Sequence, residues 1–322
     1  MRRVARLILA ALLLPAGAGG PPGAAAAAGA AAGPLPPAGA SAAADAPGPP
    51  EGGARAGPAR VVSINLCTDQ LTMMLAGPGQ LVSVSHVARD PVSSALWREA
   101  AAFPANRAQA EEIHLLEPDL VLAGAYDNPA TIAMLERLGL RVERFPLERG
   151  FGDIRANLRR MGALLGNAAG AEALVAEFDA RLPPPPPAGA ARPRAVLYGA
   201  NGFTSGADSL AGAALEAAGL ANVATELGIV GMGRLPLEAL ILAEPDLVVA
   251  GRSYRAPALA QELARHPAAR GLDGVRHVAV DSTLWTCGTP LVAEAVARLR
   301  AAAGLGAGEA AAAAGEAAAA GP

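Results

Sequence analysis

Residues 117–124 read EPDLVLAG and residues 244–251 read EPDLVVAG, one phrase written twice at an offset of 127 residues. A helical stretch precedes each copy, Glu111–Leu116 in the first and Leu237–Ala243 in the second. Each runs into Glu-Pro-Asp, where proline, lacking an N–H and clashing with the previous turn, ends the helix. The apolar run that follows shows no polar alternation, so it reads as a strand covered on both faces, as in a parallel sheet. Next come a loop (YDNPA; RSYRAP), a second helix (TIAMLERLG; ALAQELARH) and another strand at 140–145 and 275–280. The same order written twice predicts two α/β lobes.

The lobes also open alike, with RVVSI at 60–64 and RAVLY at 194–198, each strand-like and followed by a loop and a helix. Between them, Ile154, Leu158, Met161, Leu164 and Leu165 recur at helical spacing, which predicts one long helix over 151–182. Pro183–Pro187 must leave that helix as a stiff extended segment. The expected fold is therefore α/β, with two Rossmann-like lobes at 60–150 and 194–302. One long α-helix joins them, followed by a Pro-rich linker at 183–193. Such a strut lets the lobes rock by small angles. The ligand cleft is expected between them, outside the carboxyl ends of the strands.

The chain begins MRRVARLILAALLLPAGAGG. Arg2, Arg3 and Arg6 precede an apolar run at Leu7–Leu14 and small residues at Ala16 and Ala18, the order of a cleaved signal peptide over 1–18. The apolar run is too short to anchor in a bilayer, and export through an inner membrane into the periplasm is expected. Residues 19–59 are almost all Ala, Gly and Pro and cannot bury enough surface to offset chain entropy, so they read as a disordered tether; 303–322 reads as a similar tail. Net charge is −3, which gives no nucleic-acid footprint. No GxGxxG follows the first strand, and GxxxxGK[ST], GxSxG and HExxH are missing. The four histidines, His86, His114, His266 and His277, are scattered. No catalytic residue, metal site or resident cofactor is expected, and the chain is expected to act as a monomer.

The repeat also places a carboxylate at one position in each lobe, Glu111 and Glu238, again 127 residues apart. Acidic residues favour the first turn of a helix whatever their function; a matched pair can equally present docking charges to arginines of a two-fold membrane partner. With the opening RVVSINLCTDQL, the helix-to-strand phrase EEIHLLEPDLVLAG and its echo, FTSG at 203–206 and the closing WTCGTPLVAEAV, the chain resembles the periplasmic substrate-binding proteins of ABC importers for ferric siderophores and cobalamin. The resemblance spans nearly all of 60–300. It implies a non-enzymatic receptor that hands a small-molecule metal chelate to a permease dimer in the inner membrane. The docking glutamates of that family fall by position on Glu111 and Glu238, with Glu112 as a neighbour able to substitute.

Loops after strands supply the cleft candidates: Asn65, Cys67, Arg89, Arg107 and Tyr126 from the first lobe; Phe203, Thr204, Arg234, Arg252, Tyr254 and Trp285 from the second. A guanidinium fork suits a carboxylate or hydroxamate oxygen, and an aromatic face suits a large flat ligand. The resemblance implies that the tyrosine of hydroxamate binders falls on Tyr126 and their arginine close to Arg107. A ferric siderophore is therefore the leading expectation, with cobalamin and haem as alternatives. Cys67 and Cys287 leave three readings open: two free buried thiols, which is favoured; an inter-lobe disulfide; or a thiolate metal site with His86.

Overall fold

The computed structural model describes residues 57–187, 189–251, 260, 266–272 and 274–305. The expected signal peptide and most of the expected tether, residues 306–322, and all but residues 260 and 266 of the second-lobe helix expected at 258–266 lie outside the described residues. Tether residues 57–59 are instead pinned: Gln80 donates to the Pro58 carbonyl (2.8 Å) and the Ala59 N–H donates to Asp119 (2.9 Å). At the other end Ala303 is buried and Leu305 packs against the core, so the tail begins later than expected.

Two parallel sheets carry the repeat. In the first lobe β1 (Val61–Ser63), β2 (Leu81–Ser85), β3 (Ala105–Asn106), β4 (Leu120–Gly124) and β5 (Val142–Phe145) lie in the order β3-β2-β1-β4-β5. Helices α1 (Leu66–Leu75), α2 (Trp97–Ala100), α3 (Ala110–Leu115) and α4 (Pro129–Arg137) connect them. In the second lobe β6 (Arg194–Leu197), β8 (Ala221–Asn222), β10 (Leu247–Ala250) and β11 (Arg276–Ala279) take the order β11-β10-β6-β8. Beside them β7 (Phe203–Ser205) and β9 (Met232–Arg234) form an antiparallel pair.

Both EPD phrases fold alike. Proline excludes the preceding residue from a right-handed helix, and Glu117 and Glu244 both turn left-handed, at φ 46° and 45°. In each lobe the arginine that opens the first strand ties down the end of the preceding helix. Arg60 donates to the carbonyls of Leu116 and Glu117 (2.6 and 3.0 Å), and Arg194 to those of Ala243 and Glu244 (2.5 and 3.2 Å). The aspartate of the phrase closes the clamp by accepting the same arginine's backbone N–H, at 2.8 Å for Asp119 and 2.7 Å for Asp246.

Alternation along the strands sorts the core. Val61, Leu120 and Leu122 face α1 and α5 (Phe151–Leu165), while Val62, Val121 and Ala123 face Ile113 of α3 and Ile132 and Leu135 of α4. In the second lobe Ala195, Leu197, Leu247 and Val249 face α7 (Leu210–Ala217) and the C-terminal helix, residues 292–302. Val196 and Val248 face Leu240 of α9 (Leu237–Ala243); between α7 and α9 lies the short α8 (Val223–Glu226). Each valine, leucine or isoleucine among them taken fully from water contributes about 1.5–3 kcal/mol. After α9 come α10 (Pro267–Arg270), α11 (Thr283–Thr286) and α12, the C-terminal helix Val292–Ala302.

The stretch expected as one helix over 151–182 is two. Helix α5 stops at Gly166, which is left-handed at φ 75°, and α6 (Ala168–Arg181) restarts after Asn167, whose side chain caps it by accepting the Gly170 N–H at 3.0 Å. The two helices fold back on each other. The rings of Phe151 and Phe178 meet edge-on with centroids 5.5 Å apart, Arg155 pairs with Asp179 (2.7 Å) and Arg159 with Glu172 (2.7 Å). In a continuous helix residues 151 and 178 would stand about 40 Å apart. Ile154, Leu158 and Met161 of α5 and Val175 and Phe178 of α6 belong to one buried cluster that also holds Leu197, Leu215 and Val249 of the second lobe. A packed hairpin, rather than a strut, therefore joins the lobes.

Candidate functional site

In the first sheet the chain winds outward from β1 in one direction through β2 and β3, and in the other through β4 and β5. The connections after β1 and β4 therefore leave in opposite directions, and a crevice opens between them. There a small open hollow of about 80 Å³ is lined by Asn65, Thr68, Leu71, Tyr126, Leu147 and Glu148, among others. That volume is well below the roughly 300–1,000 Å³ of sites that enclose a small molecule, so the hollow offers a contact surface rather than an enclosing pocket.

Its frame is polar and fully engaged. Asn65 caps α1, accepting the Cys67 N–H at 2.9 Å, and reaches across the switch point to donate to Asp127 (2.9 Å). Asp127 in turn accepts the Gly124 N–H (2.8 Å). Glycine is required at 124 because a Cβ there would fall 2.4 Å from the Asn65 amide nitrogen. The wall is apolar: Leu71 from α1, and Phe145, Pro146 and Leu147 from the end of β5. Next to it Glu148, largely buried, also lines the hollow and accepts from Asn157 at 2.7 Å. Burial pushes its carboxyl up, against the Asn157 amide and the Gly288 N–H, which both favour the charged form.

Three contacts close the second lobe on this edge. Cys67 and Cys287 form a disulfide with Cα atoms 5.0 Å apart. This corrects the favoured reading of two free thiols and removes the thiolate metal site, since the first turn of α1 and a segment 220 residues further along the chain meet at the lobe junction. Gly288 packs against Glu148 so closely that a Cβ would lie 2.3 Å from its Cγ. Arg149 pairs with Asp208 at 2.8 Å.

Asp69, two residues beyond Cys67, anchors α1 to the end of β2 by accepting the Ser85 N–H and bonding the Ser85 hydroxyl (3.0 and 2.5 Å). It is fully buried, and burial pushes its pKa up to about 7 against the hydrogen bonds from Ser63 and Ser85, with Asp127 adding to the rise. A carboxyl with a raised folded pKa favours folding below its unfolded value near 3.8, and that contribution is lost as pH climbs through 7. Asp69→Asn is therefore expected to flatten the fall in stability between about pH 4 and 7. Urea midpoints at both ends of that window test this, and parallel profiles for the two proteins would refute it.

Of the residues expected in the cleft, Asn65, Cys67 and Tyr126 meet at the hollow. Arg89 is exposed at the end of a 3-10 turn after β2, and Arg107 is exposed beyond β3, two strands from β1; neither lines the hollow. The Arg107 N–H is bound by Glu112 at 2.8 Å, which commits Glu112 and leaves Glu111 exposed beside it. In the second lobe Phe203 and Arg234 come together across β7 and β9, with the guanidinium 4.9 Å from the ring centroid. Thr204 between them is buried. Trp285 is half-buried against the core. Arg252 and Tyr254 lie outside the described residues. Glu238, like Glu111, is exposed. The loop after β5, with Leu147 and Glu148, was missed, although the strand-end rule that selected the other loops applies to it equally.

Among the described residues no helix is long and apolar enough to cross a membrane, and no group of three or more His, Cys, Asp or Glu side chains could hold a metal. The chain is 29% identical over 201 residues to a cobalamin-binding protein of Halobacterium salinarum; the match covers 61% of this chain and 54% of that one, about half the relative's length. Three solved structures share the fold. A periplasmic haem-binding protein from Pseudomonas aeruginosa has a TM-score of 0.62 at 23% identity over 76% of this chain and 92% of that one. An ABC-type Fe3+-hydroxamate transport protein from Saccharomonospora viridis has 0.58 at 22%, over 77% and 94%. A periplasmic vitamin B12-binding protein of Vibrio cholerae has 0.55 at 19%, over 76% and 96%. Residues 61–280, which hold both sheets and the hollow, match the periplasmic binding protein family model, and the chain belongs to that family.

Proposed function

We propose that this protein is an exported, non-enzymatic receptor that holds an organic metal chelate at the first lobe's switch point and delivers it to an ABC importer, docking through Glu111 and Glu238. The observation that carries the reading is the open apolar wall of Leu71, Phe145, Pro146 and Leu147 at the switch point, beside the Asn65–Asp127 bridge. Such a surface takes up the organic shell of a chelate, not a bare ion, which would demand converging oxygen or nitrogen ligands. Among the described residues no arginine lines the hollow, which weakens the support that a guanidinium fork lends to a ferric hydroxamate. Cobalamin is the chelate favoured, in keeping with the curated relatives. Haem is the second reading, favoured by the Tyr126 phenol at the rim, 82% exposed, since tyrosine can ligate haem iron.

Intrinsic fluorescence tests this. Trp285 sits two residues from the lobe-bridging Cys287, and a Trp97→Phe background isolates its signal. Titration with cyanocobalamin, haemin and a ferric hydroxamate is expected to give saturable quenching by one of them at micromolar concentration or below. Leu147→Asp, at a half-exposed position on the hollow, is expected to weaken that binding at least about ten-fold through lost apolar contact and an unpaired charge. Saturable binding that Leu147→Asp leaves unchanged would place the ligand elsewhere, and no binding of any of the three by calorimetry would overturn the chelate reading.

A further inference from the structure

Helices α3 and α9 occupy the same place in their lobes and align across the 127-residue repeat, with alternate positions of like character. Ile113 and Leu240 are the buried partners, both 0% exposed. Glu111 and Glu238 are the exposed carboxylates. Leu115 and Leu242, four residues further along each helix, are 81% and 83% exposed. Residues four apart lie on one helix face, so each lobe presents a carboxylate with a bare leucine one turn away.

Single exposed leucines are ordinary and need no explanation. Among the exposed large apolar side chains of the described residues, however, these two alone are related by the repeat. Packing cannot account for the match, because the face turned to the core is filled by Ile113 and Leu240. The helices are also held firmly: Arg60 and Arg194 clamp the carbonyls at their ends, and Asp119 and Asp246 lock those arginines' backbones in turn. Two rigid copies of one acidic and apolar patch on a single chain suit a partner that also presents one surface twice, as a two-fold dimer does.

We propose that Leu115 and Leu242 are the apolar anchors of the docking surface, each entering a pocket on one half of a two-fold membrane partner, beside a cationic side chain that meets Glu111 or Glu238. This rests on the delivery reading above and adds to it a source of affinity that does not depend on charge. Exposed ion pairs alone contribute little and are screened by salt, whereas a leucine taken from water into a pocket gives an effect that persists at high salt.

The test uses the full mature chain, bound to right-side-out inner-membrane vesicles of the source organism and to liposomes of the extracted lipids. Leu115→Gln and Leu242→Gln are each expected to weaken vesicle binding about ten-fold and together about a hundred-fold. Melting temperature and chelate affinity should be unchanged, and the loss should persist at 0.5 M salt (roughly a 4–5 Å Debye length). Glu111→Arg with Glu238→Arg should weaken binding mainly at low salt. If the glutamate pair abolishes vesicle binding and the leucine pair leaves it at wild-type strength, docking stands and the anchors fall. If neither pair changes it, the docking reading falls as well. Equal binding to protein-free liposomes, or a leucine effect seen only as loss of self-association in sedimentation, would assign the patches to lipid or to a second copy and overturn the proposal.

Discussion

Replacing Cys67 and Cys287 together by serine is expected to lower the stability of the folded protein by about 5 kcal/mol, the loop-closure entropy released when a cross-link spanning 220 residues is removed. For a folded region of this size that corresponds to a fall in melting temperature of roughly 10–20 °C. Dithiothreitol should have a similar effect on the wild-type chain. The link joins the first turn of α1 to the segment after α11, so it restrains the lobes at the edge of the hollow as well as the unfolded ensemble. Its loss should not split the melt into two transitions, because one buried cluster runs from Val61 and Leu120 through the α5–α6 hairpin to Val249 and Leu299. Scanning calorimetry with and without reductant decides this. An unchanged melting temperature would mean that the bond contributes nothing, and two separated transitions would mean that the shared core is not cooperative.

Gly162→Ala is expected to destabilise the protein by about 2 kcal/mol through overpacking. In a lone continuous helix the same change would be stabilising by up to about 1 kcal/mol, since alanine is the better helix former. The sign therefore distinguishes a hairpin from a strut. In the hairpin a Cβ at 162 would sit 2.4 Å from the Ala171 Cβ and 2.8 Å from the Asn167 carbonyl oxygen, so α5 and α6 could close only by shifting apart. Denaturant unfolding of the variant supplies the measurement, and a raised midpoint would refute the folded-back arrangement.

Local chemistry made much of the fold legible. The EPD phrases marked two helix ends and two buried strands because proline and unbroken apolar runs act within a few residues. The structure places β4, β10, α3 and α9 within a residue or two of those readings. The hairpin was less legible. Gly166 and Asn167 form a stop-and-start pair that a spacing count of apolar residues passes over, because α5 and α6 each keep helical periodicity and only a local reversal separates them. At the site, Asn65 and Tyr126 follow from the rule that ligands gather where parallel strands end. Arg89 and Arg107 follow from the same rule and yet stay outside the hollow, because strand order, not strand identity, decides which loops converge.

The sequence by itself determined the two α/β lobes, the polarity of their helices and the duplicated Glu111 and Glu238, since repetition, proline and periodicity are properties of neighbouring residues. Only the tertiary structure decided that Cys67 meets Cys287, that Glu148 is buried beneath Gly288, and that Leu115 and Leu242 stand bare while Ile113 and Leu240 are covered. Each of these depends on residues far apart in the chain being brought together, or on which face of a short helix its lobe happens to bury.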